Sequence, residues 1–418
     1  MLKLWKRLAV TGLALLLPLM AAVPAGAAGT PETIHIVALG DSITAGYEPG
    51  ITDVNAKPYG YPERLLEQAW FHGSRATLAN YGLLGLTTSG LRNYVSALKN
   101  GGPITAETIQ PGLADPRLPS FAAVSSQTAS DLREADVIAI TIGGNDVSSL
   151  LLEADKMPEA ELQARIDTLL QAYSDNMTAV LSDLRTLNPG ATVIVADQYQ
   201  PAPKIGLGQA YPKLMTAAAR FTEAVDQLVS AQNRQDAPVL AAHVAARFAG
   251  VEGSLTHIVS NRDFHPTQLG YEAIASVFAE ALWGGYKVPS VFQQPSASPR
   301  PMTIVVKGTE LNTPNKPVIR SGQNFLPLRD ILTAVGANGT WDNKTSSASV
   351  IYQGRKVVIS IGSKTMLVNG QKVALDTPAF LHKSGKEDKT YLPLAALAEG
   401  LGFDVQYSPN LRTAFINP

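Results

Sequence analysis

The chain is organised around the stretch Ile34-His35-Ile36-Val37-Ala38-Leu39-Gly40-Asp41-Ser42-Ile43-Thr44-Ala45-Gly46-Tyr47. An apolar, mostly β-branched run ends at a glycine, and a serine follows two positions later, which predicts a buried strand that enters a tight turn. In an open parallel sheet the carboxyl ends of the strands border the crevice in which substrates bind. Ser42 is therefore a candidate nucleophile.

Similar apolar runs recur over the first 285 residues and alternate with long amphipathic segments, notably 159–187 and 214–232. Strands that alternate with helices indicate a parallel sheet covered by helices on both faces. We therefore predict an α/β fold, a three-layer α/β/α sandwich. Residues 100–130 are rich in Gly, Pro, Ser and Thr, which predicts an extended loop near the mouth of the site. The predicted strands are Ile34–Leu39, Ala76–Asn80, Val137–Ile142, Ala191–Ala196 and Val239–Val244.

Three further short motifs follow the serine along the chain. They are Asn80-Tyr81-Gly82-Leu83-Leu84-Gly85-Leu86-Thr87, then Gly143-Gly144-Asn145-Asp146, then Asp263-Phe264-His265-Pro266. Together with Gly40-Asp41-Ser42, this ordered set resembles the GDSL or SGNH family of serine esterases and lipases over residues 33–285. The resemblance implies the SGNH hydrolase fold, and it identifies the motif residues as Ser42, Gly85, Asn145 and His265.

Ester hydrolysis needs a nucleophile, a base that takes its proton, and donors directed at the oxyanion of the tetrahedral intermediate. The resemblance implies that Ser42 is the nucleophile and His265 the base. The backbone N–H groups of Ser42 and Gly85 and the side-chain amide of Asn145 would then form the oxyanion hole. Glycine has no side chain, so its backbone can approach the substrate closely. An amide side chain is uncharged, so it can donate a hydrogen bond without the cost of desolvating a charge. This chemistry requires no metal and no cofactor.

The acid of the triad departs from the family pattern. That pattern has the acid three residues before the histidine, and here Arg262 occupies that position, with Asp263 only two residues before His265. A guanidinium cannot replace a carboxylate, because it is positively charged and accepts no hydrogen bond. Two alternatives follow from the sequence: Asp263 orients the imidazole, or a backbone carbonyl does so in a Ser-His dyad.

The amino terminus has the pattern of a secretory signal peptide over residues 1–28. Three basic residues among the first seven precede an apolar run over 8–23, and the small residues Ala25-Gly26-Ala27 follow it. The alternative is an uncleaved anchor helix, which Gly12 and Pro18 inside the run disfavour. We therefore expect a secreted protein, and its association with the cell wall is a further expectation.

Charge and cysteine content exclude several classes of protein. Cleavage removes three of the 34 basic residues and none of the 35 acidic ones, so the mature chain has a net charge near −4. Nothing in this balance indicates a nucleic-acid partner. The chain has no cysteine, so it can form neither a disulfide nor a thiolate metal site.

A second domain is predicted after a linker rich in proline and serine over residues 286–301. Beyond the linker, Phe325-Leu326-Pro327-Leu328 returns as Tyr391-Leu392-Pro393-Leu394, 66 residues later, which predicts an internal repeat. Residues 302–418 resemble the copper amine oxidase N-terminal-like domain. We therefore predict a small α+β accessory domain that folds separately from the site.

Despite the name of that family, we expect no copper in the second domain. The region contains a single histidine, His382, and no cysteine, whereas copper sites use several His or Cys ligands. The resemblance suggests instead that residues 302–418 serve in attachment or spacing at the cell wall.

These patterns together predict a secreted serine esterase or lipase. Its substrate is an acetylated polysaccharide or a lipid or lysophospholipid ester. The alternative from another class is a non-catalytic cell-surface binding protein on a decayed hydrolase fold. The joint presence of Ser42, Asn145 and His265 argues against decay, because a decayed site has no reason to keep them together.

Overall fold

The computed structural model describes residues 32–51, 57–205, 207–208, 210–292, 302–315, 317–384 and 386–418. The predicted signal peptide over residues 1–28 lies outside these ranges, as do residues 293–301 of the predicted linker. None of the described helices has the length and hydropathy that a membrane span needs.

The first domain is built on a five-stranded parallel sheet that consists of β1 (Thr33–Gly40), β2 (Arg75–Gly82), β3 (Val137–Thr141), β4 (Thr192–Ala196) and β5 (Val239–Ala242). The strand order is β2-β1-β3-β4-β5. Gly40 at the end of β1 is in register with Gly82 on one side and with Thr141 on the other. The motifs that follow β1, β2 and β3 therefore begin at the same edge of the sheet.

Helices connect the strands and cover the sheet, and the long predicted helix 159–187 is found with these bounds. In chain order the helices of this domain are α1 (Tyr61–Phe71), α2 (Thr88–Asn100), α3 (Ala106–Ile109), α4 (Leu118–Ala123), α5 (Ser125–Glu134), α6 (Gly144–Val147), α7 (Leu150–Glu153), α8 (Glu159–Leu187), α9 (Ala210–Gln232), α10 (Val244–Phe248), α11 (Glu252–Leu255), α12 (Ile258–Asn261) and α13 (Gln268–Trp283).

Alternate side chains of each strand pack on opposite faces of the sheet, as the period of a strand requires. In β3, Ile138 and Ile140 join an apolar cluster with α2, α5, α8 and α9. Their neighbours Val137 and Ala139 join a second cluster with α1, α10 and α13. Helices therefore cover both faces, and the predicted three-layer α/β/α sandwich is confirmed.

The second domain is rich in β-structure and contains two helices, as expected for a small α+β domain. A short 3-10 helix, Ser290–Phe292, precedes it. Its helices are α14 (Leu328–Val335) and α15 (Leu394–Gly400), and its strands are β6 (Thr303–Val306), β7 (Thr309–Glu310), β8 (Val318–Arg320), β9 (Gln323–Pro327), β10 (Asn338–Asp342), β11 (Ser347–Tyr352), β12 (Arg355–Ser360), β13 (Thr365–Val368), β14 (Gln371–Ala374), β15 (Phe380–Ser384), β16 (Glu387–Pro393), β17 (Asp404–Ser408) and β18 (Thr413–Asn417).

The two copies of the repeated sequence lie side by side in this domain. Strands β9 and β16 pair in antiparallel register, with Leu326 opposite Leu392. Each strand leads directly into a helix, α14 in the first copy and α15 in the second. Both leucines are fully buried in the apolar core of the domain, so the repeat builds one core from two equivalent halves.

The β-rich domain packs against the carboxyl-terminal half of α1. The ring of Phe415 in β18 is fully buried, 4.8 Å from the ring of Phe71 and 5.5 Å from that of Trp70. Val305 of β6 joins the same apolar cluster as α1 and α13. The two domains therefore share part of one hydrophobic core.

Polar groups complete this contact between the domains. The hydroxyl of Ser408 donates to the buried carboxylate of Glu67 at 2.5 Å. The side-chain amide of Asn417 donates to the carbonyl oxygens of Trp70 and Ser74 at 3.0 and 2.9 Å. Separation of the domains would break these bonds. A buried polar group that loses its partner costs free energy, so the bonds favour the docked arrangement.

Candidate active site

Strand β1 ends in a tight turn that contains Ser42. Gly40 has a φ of 143°, and a Cβ atom there would lie 2.0 Å from the carbonyl oxygen of Thr141. Only glycine fits this position. In the turn, the backbone N–H of Ile43 donates to Oδ1 of Asp41 at 3.0 Å, which fixes the backbone on both sides of Ser42.

The structure brings Ser42, His265 and Asp263 into hydrogen-bond contact. Oγ of Ser42 lies 2.8 Å from Nε2 of His265, and Nδ1 of His265 lies 2.6 Å from Oδ1 of Asp263. Only 12% of the His265 side chain is exposed, and Ser42 is 7% exposed. The residues predicted as nucleophile, base and acid therefore form one continuous chain, although they come from opposite ends of the domain.

The backbone at Arg262 explains how Asp263 reaches the histidine from only two residues away. Arg262 ends α12 in a left-handed conformation with a φ of 56°, and it is exposed. Oδ1 of Asp263 also accepts the backbone N–H of His265 at 2.8 Å. The N–H of His257 donates to the carbonyl oxygen of His265 at 3.0 Å and holds the turn from the other side. A carboxylate, and not a backbone carbonyl, thus contacts Nδ1.

Two aromatic rings enclose the imidazole of His265. The ring of Tyr47 meets it edge-on at 4.5 Å, and the ring of Phe264 stacks on it at 4.7 Å. Burial disfavours the imidazolium and lowers the pKa of His265 below its ordinary value, although the Asp263 carboxylate acts in the opposite direction. The imidazole is therefore neutral at neutral pH, as a general base must be.

The predicted oxyanion donors lie at the ends of three neighbouring strands. Nδ2 of Asn145 donates to the carbonyl oxygen of Leu86 at 2.8 Å, which uses one of its two hydrogens. This bond ties the turn at Gly85 to the loop after β3. Among the described residues, the backbone N–H groups of Ser42 and Gly85 have no hydrogen-bond partner. Ser42 is buried and Gly85 is exposed, and both N–H groups are free to bind a substrate oxygen.

Two other carboxylates of the motifs hold the loops around the site. Asp146 accepts hydrogen bonds from the backbone N–H and the hydroxyl of Thr88, at 3.0 and 2.6 Å, and so joins the loops after β2 and β3. Asp41 is 1% exposed, and burial raises its pKa to about 7. Its bond to the N–H of Ile43 shapes the turn of the candidate nucleophile.

An apolar cavity that the sequence patterns did not predict opens beside Ser42. The cavity and the open solvent at its mouth together occupy about 830 Å³, and Ser42, Asn145 and Phe264 are among its lining residues. The periodicity of residues 159–187 predicts that α8 buries one face, but it does not show that part of this face borders an empty space. Aliphatic and aromatic side chains of α6 to α9 line the cavity, among them Val147, Leu150, Ile166, Leu170, Leu214 and Phe221.

The described residues contain no cluster of three or more His, Asp or Glu side chains that could hold a metal ion. His382, the histidine of the second domain, packs edge-on against the rings of Phe380 and Tyr391 at 6.2 and 5.0 Å. The imidazole therefore belongs to an aromatic cluster in this domain.

Comparison with known proteins gives two family matches. Residues 38–273 match the model of the GDSL-like lipase/acylhydrolase family, and residues 305–416 match that of the copper amine oxidase N-terminal domain. No curated protein sequence matches the chain.

Several solved structures are similar to part of the chain. A lipase from a goat rumen metagenome and an extracellular lipase from Streptomyces rimosus both align with a TM-score of 0.40 and 20% identity, over 59% of this chain and 95% and 99% of theirs. A family 3 carbohydrate esterase from Clostridium thermocellum aligns with a TM-score of 0.35 and 18% identity, over 60% of this chain and 95% of its own.

The α/β/α fold and the family match define an ester-hydrolysing enzyme. The match over residues 38–273 covers more than half of the 418 residues. The chain belongs to the GDSL-like lipase/acylhydrolase family, and it carries a copper amine oxidase N-terminal domain after the hydrolase domain.

Proposed function

We propose that the enzyme hydrolyses carboxylic esters through an acyl-enzyme on Ser42. His265 removes the hydroxyl proton as Oγ attacks the ester carbonyl carbon, and it then gives this proton to the leaving alcohol. A water molecule attacks the acyl-enzyme in the second half of the reaction, and His265 again takes the proton. The product acid leaves and the serine hydroxyl is restored. The 2.8 Å contact between Oγ and Nε2 supports this assignment.

Asp263 and the oxyanion donors have separate roles in this proposal. Asp263 holds the imidazole in the tautomer that leaves Nε2 free to accept, and its charge stabilises the imidazolium that forms. The N–H groups of Ser42 and Gly85 and the second hydrogen of the Asn145 amide bind the oxyanion. Neither backbone N–H has a hydrogen-bond partner in the part of the chain that the structure describes, which supports their assignment.

The apolar cavity beside Ser42 is the observation that supports the proposed substrate. An acyl chain that enters this cavity exchanges water for aliphatic side chains, and each buried methylene contributes about 0.8 kcal/mol. An acetyl group has no methylene to bury. We therefore propose an ester with an acyl chain of several carbons, such as a lipid or lysophospholipid ester, in preference to an acetylated polysaccharide.

The localisation of the enzyme is a proposal from the sequence alone. Residues 1–28 support export, and the resemblance of residues 302–418 to a stalk domain supports attachment to the cell wall. Fractionation of the producing cells would test the first point, and binding of the full chain to isolated cell walls would test the second.

Hydrolysis of p-nitrophenyl esters from acetate to palmitate tests the proposed substrate, with acetylated xylan in parallel and Ser42→Ala as the control. We expect kcat/KM to rise about fourfold for each added methylene over the shorter chains. Faster release of acetate from xylan than of octanoate from its ester would favour the polysaccharide. Absence of turnover on every ester by the folded protein would favour a non-catalytic binding protein.

A further inference from the structure

The turn that contains Gly85 is held by a glutamine from another part of the chain. Oε1 of Gln110 accepts the backbone N–H and the hydroxyl of Thr87, both at 2.8 Å. Nε2 of Gln110 donates to the carbonyl oxygen of Gly85 at 3.0 Å. One amide side chain therefore binds the backbone on both sides of Leu86.

The neighbouring backbone N–H groups are also bound, with one exception among the described residues. Oδ2 of Asp115 accepts the N–H of Leu84 at 2.7 Å, and the carbonyl oxygen of Leu86 accepts from Asn145 at 2.8 Å. The N–H of Gly85 has no partner among the residues that the structure describes. A turn whose neighbouring N–H groups are bound and whose one free donor is the N–H of Gly85 is the arrangement that a preorganised oxyanion hole requires.

The conformation of Gly85 explains why this turn needs support from outside. Gly85 has a φ of 78°, and a Cβ there would meet only Leu113, at 3.9 Å, so neighbouring atoms do not restrict the glycine. Glycine adopts positive and negative φ about equally well, so the direction of its N–H is not determined by its own backbone. The three hydrogen bonds of Gln110 select one of these conformations.

The fold makes room for Gln110 at this position. A Cβ on Gly90, in the first turn of α2, would lie 2.5 Å from Oε1 of Gln110, so a larger residue there would displace the amide. The side-chain amide of Asn93 in α2 donates to the carbonyl oxygen of Ile109 at 2.8 Å and fixes the chain next to Gln110. The segment that the sequence predicts as an extended loop thus positions a single side chain against the site.

We propose that Gln110 is a positioning residue that directs the N–H of Gly85 at the oxyanion of the transition state. This inference rests on the proposed role of Gly85 in the oxyanion hole. Gln110 itself does not contact the substrate; it acts through the backbone of residues 85–87. Its loss should therefore lower the rate of the chemical step and leave ground-state binding of the substrate unchanged.

Two variants of Gln110 test the proposal. Gln110→Glu keeps the acceptor for Thr87 but replaces the donor to Gly85 by an oxygen that repels its carbonyl, and Gln110→Met removes all three bonds at similar size. We expect both variants to lower kcat about 10- to 100-fold at unchanged KM, because small displacements of a catalytic group have effects of this size. Affinity for a trifluoromethyl ketone, which forms a tetrahedral adduct with the serine, should fall by the same factor.

Gln127→Met is the matched control, since Gln127 is exposed on α5 and its side chain bonds, among the described residues, to Asp131 alone. It should keep the kcat of the wild type. The proposal is overturned if the Gln110 variants keep kcat within about twofold, or if their losses appear in KM or in melting temperature alone. Labelling of the wild-type enzyme at Ser42 by a fluorophosphonate distinguishes failure of the proposed function from failure of the role of Gln110. Without labelling, the proposed function fails. With labelling of the wild type and an unaltered kcat in the Gln110 variants, only the role of Gln110 fails.

Discussion

The bond between Asp263 and His265 determines the tautomer of the imidazole. Because Oδ1 of Asp263 can only accept, Nδ1 of His265 carries the proton and Nε2 accepts from the hydroxyl of Ser42. The left-handed backbone at Arg262 is what allows a carboxylate two residues away to make this bond. Such a conformation costs a side-chain-bearing residue about 1 kcal/mol, so a small backbone strain at an exposed position supports the geometry of the site.

Asp263→Asn should lower kcat by about 1000-fold or more, because the asparagine amide can donate to Nδ1 and so favour the wrong tautomer. Arg262→Gly is the matched control next to it, since glycine adopts the left-handed conformation without strain and should keep kcat close to that of the wild type. The measurement is kcat on a p-nitrophenyl ester at pH 8. A loss below about tenfold in the asparagine variant would mean that Ser42 and His265 act as a dyad.

The pH dependence of kcat/KM should reflect the lowered pKa of His265. The base must be neutral, so activity is lost as the pH falls through this pKa, and burial moves that loss below the ordinary range of histidine. The Asp263 carboxylate raises the pKa of His265, so removal of the charge in Asp263→Asn should move the acidic limb of the profile to still lower pH. A limb at or above the ordinary histidine value of about 6.5 in the wild type would contradict the buried, neutral imidazole.

The sequence predicted the residues of the site better than it predicted their surroundings. Ser42, His265 and Asp263 stand in short motifs beside predicted strand or helix ends, where parallel topology brings functional groups together. Gln110 has no such signal, because it contacts Gly85 from 25 residues further along the chain and lies in a segment whose composition is typical of loops. The left-handed turn at Arg262 has no such signal either, because a residue with a Cβ atom rarely adopts this conformation.

Helices α8 and α9 line the apolar cavity beside Ser42 as well as forming part of the core. Their carboxyl-terminal parts pack on the sheet, whereas Ile166 of α8 and Leu214 of α9 line the cavity near their amino-terminal ends. A cavity between two helices is difficult to predict from periodicity, because a side chain that faces a core and one that faces a cavity are both apolar. The short helices α3 to α5 were missed for a related reason: their composition is typical of loops, and tertiary contacts stabilise them.

Ala218→Trp in α9 should shorten the cavity from one side, because Ala218 is one of its lining residues. We expect kcat/KM for octanoyl and longer esters to fall about 10- to 100-fold, the range for a group that no longer fits an apolar pocket, while acetyl esters are hydrolysed as before. Ala219→Trp, at the next position, is exposed and outside the cavity, so it should leave the chain-length profile unchanged. Equal losses on acetyl and octanoyl esters in the Ala218 variant would contradict the acyl-binding role.

Helix α1 connects the second domain to the turn of the candidate nucleophile. Near its amino-terminal end, the hydroxyl of Tyr61 lies 3.1 Å from that of Thr44, two residues after Ser42. Near its carboxyl-terminal end, Phe71 packs on Phe415 of the β-rich domain. The sequence predicted two domains and a linker, but it could not show the contact between the domains. The apolar residues on each side of this contact are also compatible with the core of an isolated domain.

Cleavage of the linker should therefore not separate the domains. In a full chain with a specific protease site inserted within residues 293–301, the two fragments should co-elute on gel filtration after cleavage and keep full esterase activity. The reason is the burial of Phe415 and Val305 in the core of the hydrolase domain. Separation of the fragments at micromolar concentration would show instead that the second domain is only tethered.

Phe415→Ala should weaken this association, because loss of a buried phenylalanine costs about 3–5 kcal/mol. The cleaved fragments of this variant should separate, or the whole chain should lose esterase activity at a lower temperature. Tyr407→Ala is the control in the neighbouring strand, since Tyr407 is 50% exposed and its loss should change neither result.

The most direct test of the proposed mechanism is mass spectrometry of the enzyme quenched in acid during turnover of p-nitrophenyl octanoate. If Ser42 is the nucleophile, one octanoyl group will be found on the peptide that contains Ser42, and Ser42→Ala will carry none and release no nitrophenol. An octanoyl group on any other residue, or turnover that persists in Ser42→Ala, would contradict the account.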